Sequence, residues 1–63
     1  MRKGWKSNAV GGVYTRTMAG ADYEVMYVGA GQWDVINDVY TIFASFDSAD
    51  AGMLAAERHA AQN

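Results

Sequence analysis

The sequence predicts an α+β fold: an antiparallel β-meander of three or four strands packed against one C-terminal α-helix. Two observations carry this. Between Val13 and Phe46, short runs rich in Val, Tyr, Ile and Phe are separated by breaks containing Gly or Asn-Asp, the signature of consecutive hairpins. From Ala49 onward the chain turns alanine-rich behind a capping signal, as helices do. The chain has 63 residues, enough for one domain. A domain this small buries only about 60% of its unfolded surface, and the absence of cysteine removes disulfides and thiolate zinc sites as aids. With 51% apolar residues, two Trp and four Tyr, the composition can still supply a core, and disorder is not expected.

Residues 1–12 show no hydrophobic period and are broken by Gly4, Gly11 and Gly12, so they read as an N-terminal basic arm pinned by Trp5. Residues 13–46 form the antiparallel sheet. Val13 to Thr17 has β-branched and aromatic strand character, and Met18 to Ala21 reads as a turn. Asp22 to Val28 is the second strand. Gly29-Ala30-Gly31 supplies a hairpin loop. Gln32 to Ile36 is the third strand, Asn37-Asp38 a turn of residues that tolerate positive φ, and Val39 to Phe46 the fourth strand.

The helix is expected over residues 49–61. Asp47 or Ser48 can cap it, Asp50 suits the positive end of the helix dipole, and alanines dominate its length. At 100° per residue the buried stripe is Gly52, Met53, Ala56 and Ala60, with Leu54 on the exposed side. Period two then places Val25, Tyr27, Trp33, Val35, Ile42, Ala44 and Phe46 on the helix-facing side of the sheet. The open side receives Glu24, Met26, Val28, Asp34, Ile36, Thr41 and Phe43, and a slip of one residue would exchange the two sets.

The segments Trp33-Asp34-Val35, Phe46-Asp47-Ser48 and Gly52-Met53, with Ala56 and Ala60, resemble those of a family of short bacterial and phage proteins. In that family a Trp-x-Val strand is followed by a Phe-Asp-Ser/Thr helix start and an Ala-rich helix. The resemblance spans Tyr23 to Ala60; Gly52 stands where Ala is usual and His59 where Leu is usual. It implies a β-meander plus helix, and brings with it neither an activity nor a catalytic residue.

Several chemistries lack their residues. Gly29-Ala30-Gly31 lies between two strands, whereas a dinucleotide fingerprint needs a third glycine and a following helix. Asp47 and Asp50 serve the helix start and lack the spacing of a calcium loop. His59, the sole histidine, lies near the helix C-terminus, where a cation is favourable, and has no nucleophile partner in the pattern. The sequence therefore predicts no enzyme activity, no cofactor and no metal site. No apolar run is long enough to cross a membrane, and the basic start leads into no signal-peptide core, so cytoplasmic residence is the expectation.

Charge is uneven. Arg2, Lys3, Lys6 and Arg16 precede every acid, whereas all seven acids lie from Asp22 onward against Arg58 alone. Two partner classes follow. Exposed apolar residues within an acidic body point to a protein partner, with Glu24, Met26, Asp34, Ile36, Phe43 and Leu54 as the candidate contact set. In size and charge the chain is similar to phage anti-CRISPR proteins, and that similarity implies an inhibitor of a CRISPR effector complex, blocking its nucleic-acid or recruitment surface. The alternative is a small DNA- or RNA-binding regulator using Arg2, Lys3, Trp5, Lys6 and Arg16, which combine phosphate-neutralising charge with a stacking ring. Homo-oligomerisation through the open face or an edge strand is the third reading.

Overall fold

The computed structural model describes residues 1–8, 11–39 and 42–62, without the side chain of Ala44. Among the described residues five strands follow one another in chain order as an antiparallel meander: β1 (Lys6–Ser7), β2 (Val13–Met18), β3 (Ala21–Gly29), β4 (Gln32–Asn37) and β5 (Ile42–Phe46). Helix α1 (Ala49–Ala61) returns across one face. The α+β class and the helix bounds match the expectation; the strand count exceeds it.

The additional strand comes from the arm. Lys6 pairs with Thr15 and Ser7 with Tyr14. The Val13 carbonyl accepts from Asn8 N–H at 3.0 Å and the Asn8 carbonyl from Gly11 N–H at 3.2 Å. Two residues are too few to show a period, which is why this strand was not legible. The hairpins are tighter than expected. Ala19-Gly20 joins β2 to β3 with φ of 52° and 76°, and Ala30-Gly31 joins β3 to β4 with φ of 54° and 73°. Positive φ at both central positions matches the right-handed strand twist. Side chains close both ends: Thr17 Oγ1 lies 2.6 Å from Asp22 Oδ1, and the Tyr27 hydroxyl accepts from Gly31 N–H at 2.9 Å.

The expected Asn37-Asp38 turn is corrected. Asn37 ends β4 and is buried, with its Oδ1 accepting from Val39 N–H at 3.0 Å. Asp38 and Val39 are turn residues, the described part of the fourth expected strand is β5 (Ile42–Phe46), and positions 40 and 41 lie outside the described residues.

A second correction has a clear cause. Trp33 pairs with Phe46, but Val35 pairs with Phe43. Between these pairs one residue on β4 thus opposes two on β5, the count of a β-bulge. Strict alternation backward from Phe46 would put Ile42 inward and Phe43 outward. The extra residue reverses both. Phe43 and Phe46 pack against the core, while Ile42 sits opposite Ile36 and is 68% exposed. The expected open-face Thr41 and inward Ala44 side chain lie outside what the structure describes.

The core is the expected helix stripe, Gly52, Met53, Ala56 and Ala60, set against Tyr23, Val25 and Val35, with Trp5 closing one side. Trp33 and Phe46 are half-buried against this cluster rather than within it, and Tyr27 is exposed by nearly half. Their position along the helix explains this. Gly52 lies over Val25 and Val35, leaving only Ala49 to Ala51 to extend past them. At about 1.5 Å per helical residue and about 3.3 Å per strand residue, that stub does not reach over Tyr27. The rings pack on one another instead, with Trp33 centred 5.2 Å from Tyr27 and 5.9 Å from Tyr14. The helix starts at Ser48, whose Oγ accepts from Ala51 N–H at 3.1 Å.

Candidate functional site

Strand pairing sorts the candidate residues by face. Opposed residues in an antiparallel pair share a face. Val13 opposes Met26, Thr15 opposes Glu24 and Thr17 opposes Asp22 across β2 and β3. Glu24 opposes Ile36 and Met26 opposes Asp34 across β3 and β4. Lys6 joins this face opposite Thr15, and Ser45 joins it through a 2.8 Å hydrogen bond from its hydroxyl to Asp34 Oδ1. The open face therefore gathers four of the expected contact residues, Glu24, Met26, Asp34 and Ile36, and adds Ile42.

Two of the expected contact residues are elsewhere. Phe43 lies on the helix side, its ring 4.7 Å from that of His59. Leu54 is half-buried rather than exposed. Asp50 and Glu57 are its i−4 and i+3 neighbours on the helix surface. The arm reaches both, with the Met1 amino group 4.0 Å from Asp50 and Arg2 bonded to Glu57, so it runs alongside Leu54.

On the open face Glu24 lies on the central strand β3, with Ile36 and Ile42 side by side next to it toward the edge strand β5, and Met26 lies beside Asp34. Ile36, Ile42, Met26 and Val28 supply the apolar part; Ile42 and Val28 are exposed, and Met26 and Ile36 half-exposed. Two shallow grooves, of about 500 and about 400 Å³, adjoin across Asp22 and Glu24, which line both. Lys6 and Thr15 line the first, and Ile36 and Asp38 the second.

The basic residues are arranged differently from a free arm. Trp5 is 5% exposed, which removes it as a stacking surface while the arm is in place. Its Nε1–H donates to Glu57 Oε2 at 2.9 Å. Arg2 donates through Nε at 3.0 Å and Nη2 at 2.6 Å to Glu57 Oε1. Arg16 Nη1 donates to Glu57 Oε2 at 3.3 Å and to the Lys3 carbonyl at 3.2 Å. Glu57 thus ties the arm and β2 to the helix. Lys3 and Lys6 remain exposed. The role of Glu57 was not legible, because no local pattern links residues 55 positions apart.

These bonds hold the Glu57 carboxyl well below its ordinary range, from 4.5 to about 2, chiefly through the Arg2 hydrogen bond, with burial opposing and Trp5 and the arginine charges assisting. A carboxylate whose folded pKa is depressed stabilises the fold above its unfolded pKa, and that contribution is lost as pH falls through the folded value. We expect an acid-dependent loss of stability between about pH 4.5 and about 2 that is reduced in Glu57→Gln. Thermal melts followed by circular dichroism across that range check it. Equal pH dependence in both proteins would assign the acid loss to other carboxylates.

Near the helix end, the Tyr23 hydroxyl lies 2.8 Å from His59 Nδ1. That contact occupies the face of His59 toward the sheet and joins helix to β3. Among the described residues, no group of three or more His, Cys, Asp or Glu side chains is placed to hold a metal ion. Among the described residues, no helix is long and apolar enough to cross a membrane. Comparison with protein families, curated proteins and solved structures found no match to this chain.

Proposed function

We propose that this chain is a non-enzymatic protein-binding module that docks through its open sheet face onto a basic partner surface with an apolar centre. The observation that supports this most is Ile42. It is two-thirds exposed beside Ile36 on the face that also carries Asp22, Glu24 and Asp34. An apolar patch rimmed by charge fits a partner site rather than an idle surface. Arg2 and Arg16 are bonded to Glu57, and the basic residues that reach this face, Lys6 and Arg16, line the first groove, which Asp22 and Glu24 share with them. A basic groove that otherwise holds nucleic acid has the complementary chemistry, and docking there would inhibit by occupation. An effector complex of the CRISPR type is one partner with such a groove; similarity in size and charge to anti-CRISPR proteins supports that instance.

The test is capture of a partner on the immobilised chain, followed by binding kinetics with the purified partner. Rim charges act mainly on association and its salt dependence, whereas central contacts act on dissociation. Glu24→Lys should slow association several-fold, and Ile42→Ser should speed dissociation by tenfold or more. Lys3→Ala with Lys6→Ala should not weaken binding, since Lys6 shares the docking face and carries the partner's own sign of charge. Deleting the arm is a poor control, since Trp5 belongs to the core. The reading is overturned if the lysine substitutions abolish binding while Glu24→Lys and Ile42→Ser leave it intact.

A further inference from the structure

The helix leaves one end of its own face of the sheet uncovered, and that end is aromatic. Tyr14, Tyr27, Trp33 and Phe46 occupy it on successive strands from β2 to β5. The Trp33 ring is centred 5.9 Å from that of Tyr14 and 5.2 Å from that of Tyr27. Tyr27 is exposed by nearly half, and Tyr14, Trp33 and Phe46 are partly exposed. Neighbouring strands lie about 4.8 Å apart, so the row is about 14 Å long. Its polar atoms are left with hydrogens to give. Among the described residues no group pairs with the Trp33 indole N–H or the Tyr14 hydroxyl, and neither is a buried orphan, so both meet solvent. The Tyr27 oxygen already accepts from Gly31 N–H, which leaves its own hydrogen to donate. The row itself holds no basic side chain, and the acids next to it in the chain, Asp47 and Asp50, are exposed.

We propose that this row is a docking site for a proline-rich peptide in the polyproline II conformation, with Lys or Arg flanking the prolines. Proline has no backbone N–H, so such a segment presents carbonyl acceptors alone, and the row presents donors. Proline rings lie against the faces of Tyr and Trp, and a polyproline helix is stiff before it binds, so little freedom is lost. At about 3.1 Å per residue, about four or five residues span the row. A regular strand or a sugar would bring donors of its own, for which the row offers few acceptors. Asp47 and Asp50 supply the charge opposite to that of the flanking residues. The row lies on the other face of the sheet from the open-face reading, and the inference does not rest on that reading.

The probe is a fluorescein-labelled peptide of prolines flanked by arginines, titrated with the full chain and read by anisotropy. Saturable binding is expected. A control peptide with glycine and serine in place of proline, and the same arginines, should bind about tenfold more weakly or less. Tyr27→Ala removes an exposed ring and should lose about tenfold in affinity. Trp33→Phe keeps a ring, removes the N–H, and should lose about fivefold. The wild type decides even if a variant fails to fold. Saturating proline peptide should shift the indole N–H resonance of Trp33 and leave in place that of Trp5, which is held by Glu57. No saturation at millimolar peptide, equal binding of the control peptide, or an unmoved Trp33 resonance overturns the proposal. Cellohexaose moving the Trp33 resonance where the proline peptide does not would give the row to a sugar and overturn it likewise.

Discussion

Gly52→Leu is expected to abolish cooperative folding, and Gly52→Ala to lower stability even though alanine is the better helix former. A Cβ at Gly52 would lie 2.9 Å from Val25 Cγ1 and 3.2 Å from Val35 Cγ2. Both valines are fully buried and stiff at χ1, so neither methyl can swing aside. Replacing an interior helical glycine by alanine otherwise gains about 1 kcal/mol, while overpacking a filled core costs about 1–3 kcal/mol. The clash falls on the central axis of the core, and a net loss of up to about 2 kcal/mol follows from those two terms. For a domain this size, each 1 kcal/mol moves the melting temperature by about 4–8 °C. Leucine adds three more carbons in the same place, against a total stability of about 3–9 kcal/mol. Thermal melts followed at 222 nm check both substitutions. A melting temperature that rises in Gly52→Ala would mean that the helix sits farther from β3 and β4 than the structure places it.

Gly52 also marks what the sequence made legible. Small residues at 52, 56 and 60 announce a close approach of helix to sheet through spacing alone, and the buried stripe follows. Ser48 and the alanine run defined the helix because capping and propensity are local. The sheet was less legible where its rules are not local. The bulge in β5 leaves no trace in composition, yet it turns Phe43 inward and Ile42 outward. The open face therefore acquired its most exposed apolar residue from a position assigned to the core. The arm was legible in part: Trp5 pins it as expected, but its short strand and the acid that holds Arg2, 55 residues away on the helix, were not. Of the nucleic-acid candidates, Lys3 and Lys6 stayed exposed, while Trp5, Arg2 and Arg16 were drawn to Glu57. The open-face acids and Met26 and Ile36 were placed correctly because β3 and β4 keep strict alternation through Val35.

Tyr23 and Tyr27 lie on the same strand and face, four residues apart, and are expected to respond very unequally to truncation. Tyr23 is 1% exposed within the core cluster, and its hydroxyl meets His59 Nδ1. Removing a buried aromatic side chain costs about 3–5 kcal/mol in lost transfer energy and residual cavity. That is most or all of what a 63-residue domain holds, so Tyr23→Ala should be unfolded or close to it at 25 °C. Tyr23→Phe keeps the ring, leaves the imidazole nitrogen without its partner, and should cost about 1 kcal/mol. Tyr27 is 48% exposed, so its truncation opens no cavity. It forfeits ring packing on Trp33, worth about 0.5–1.5 kcal/mol, and the hydrogen bond from Gly31 N–H. Tyr27→Ala should therefore still melt cooperatively, with a lowered midpoint. Phe46→Ala should fall between the two, because Phe46 packs against the core from a half-buried position. Urea unfolding of the four variants measures the order directly. If Tyr27→Ala proved more damaging than Tyr23→Ala, the helix would have to lie over the β3–β4 hairpin end, with Gly52 displaced from Val25 and Val35.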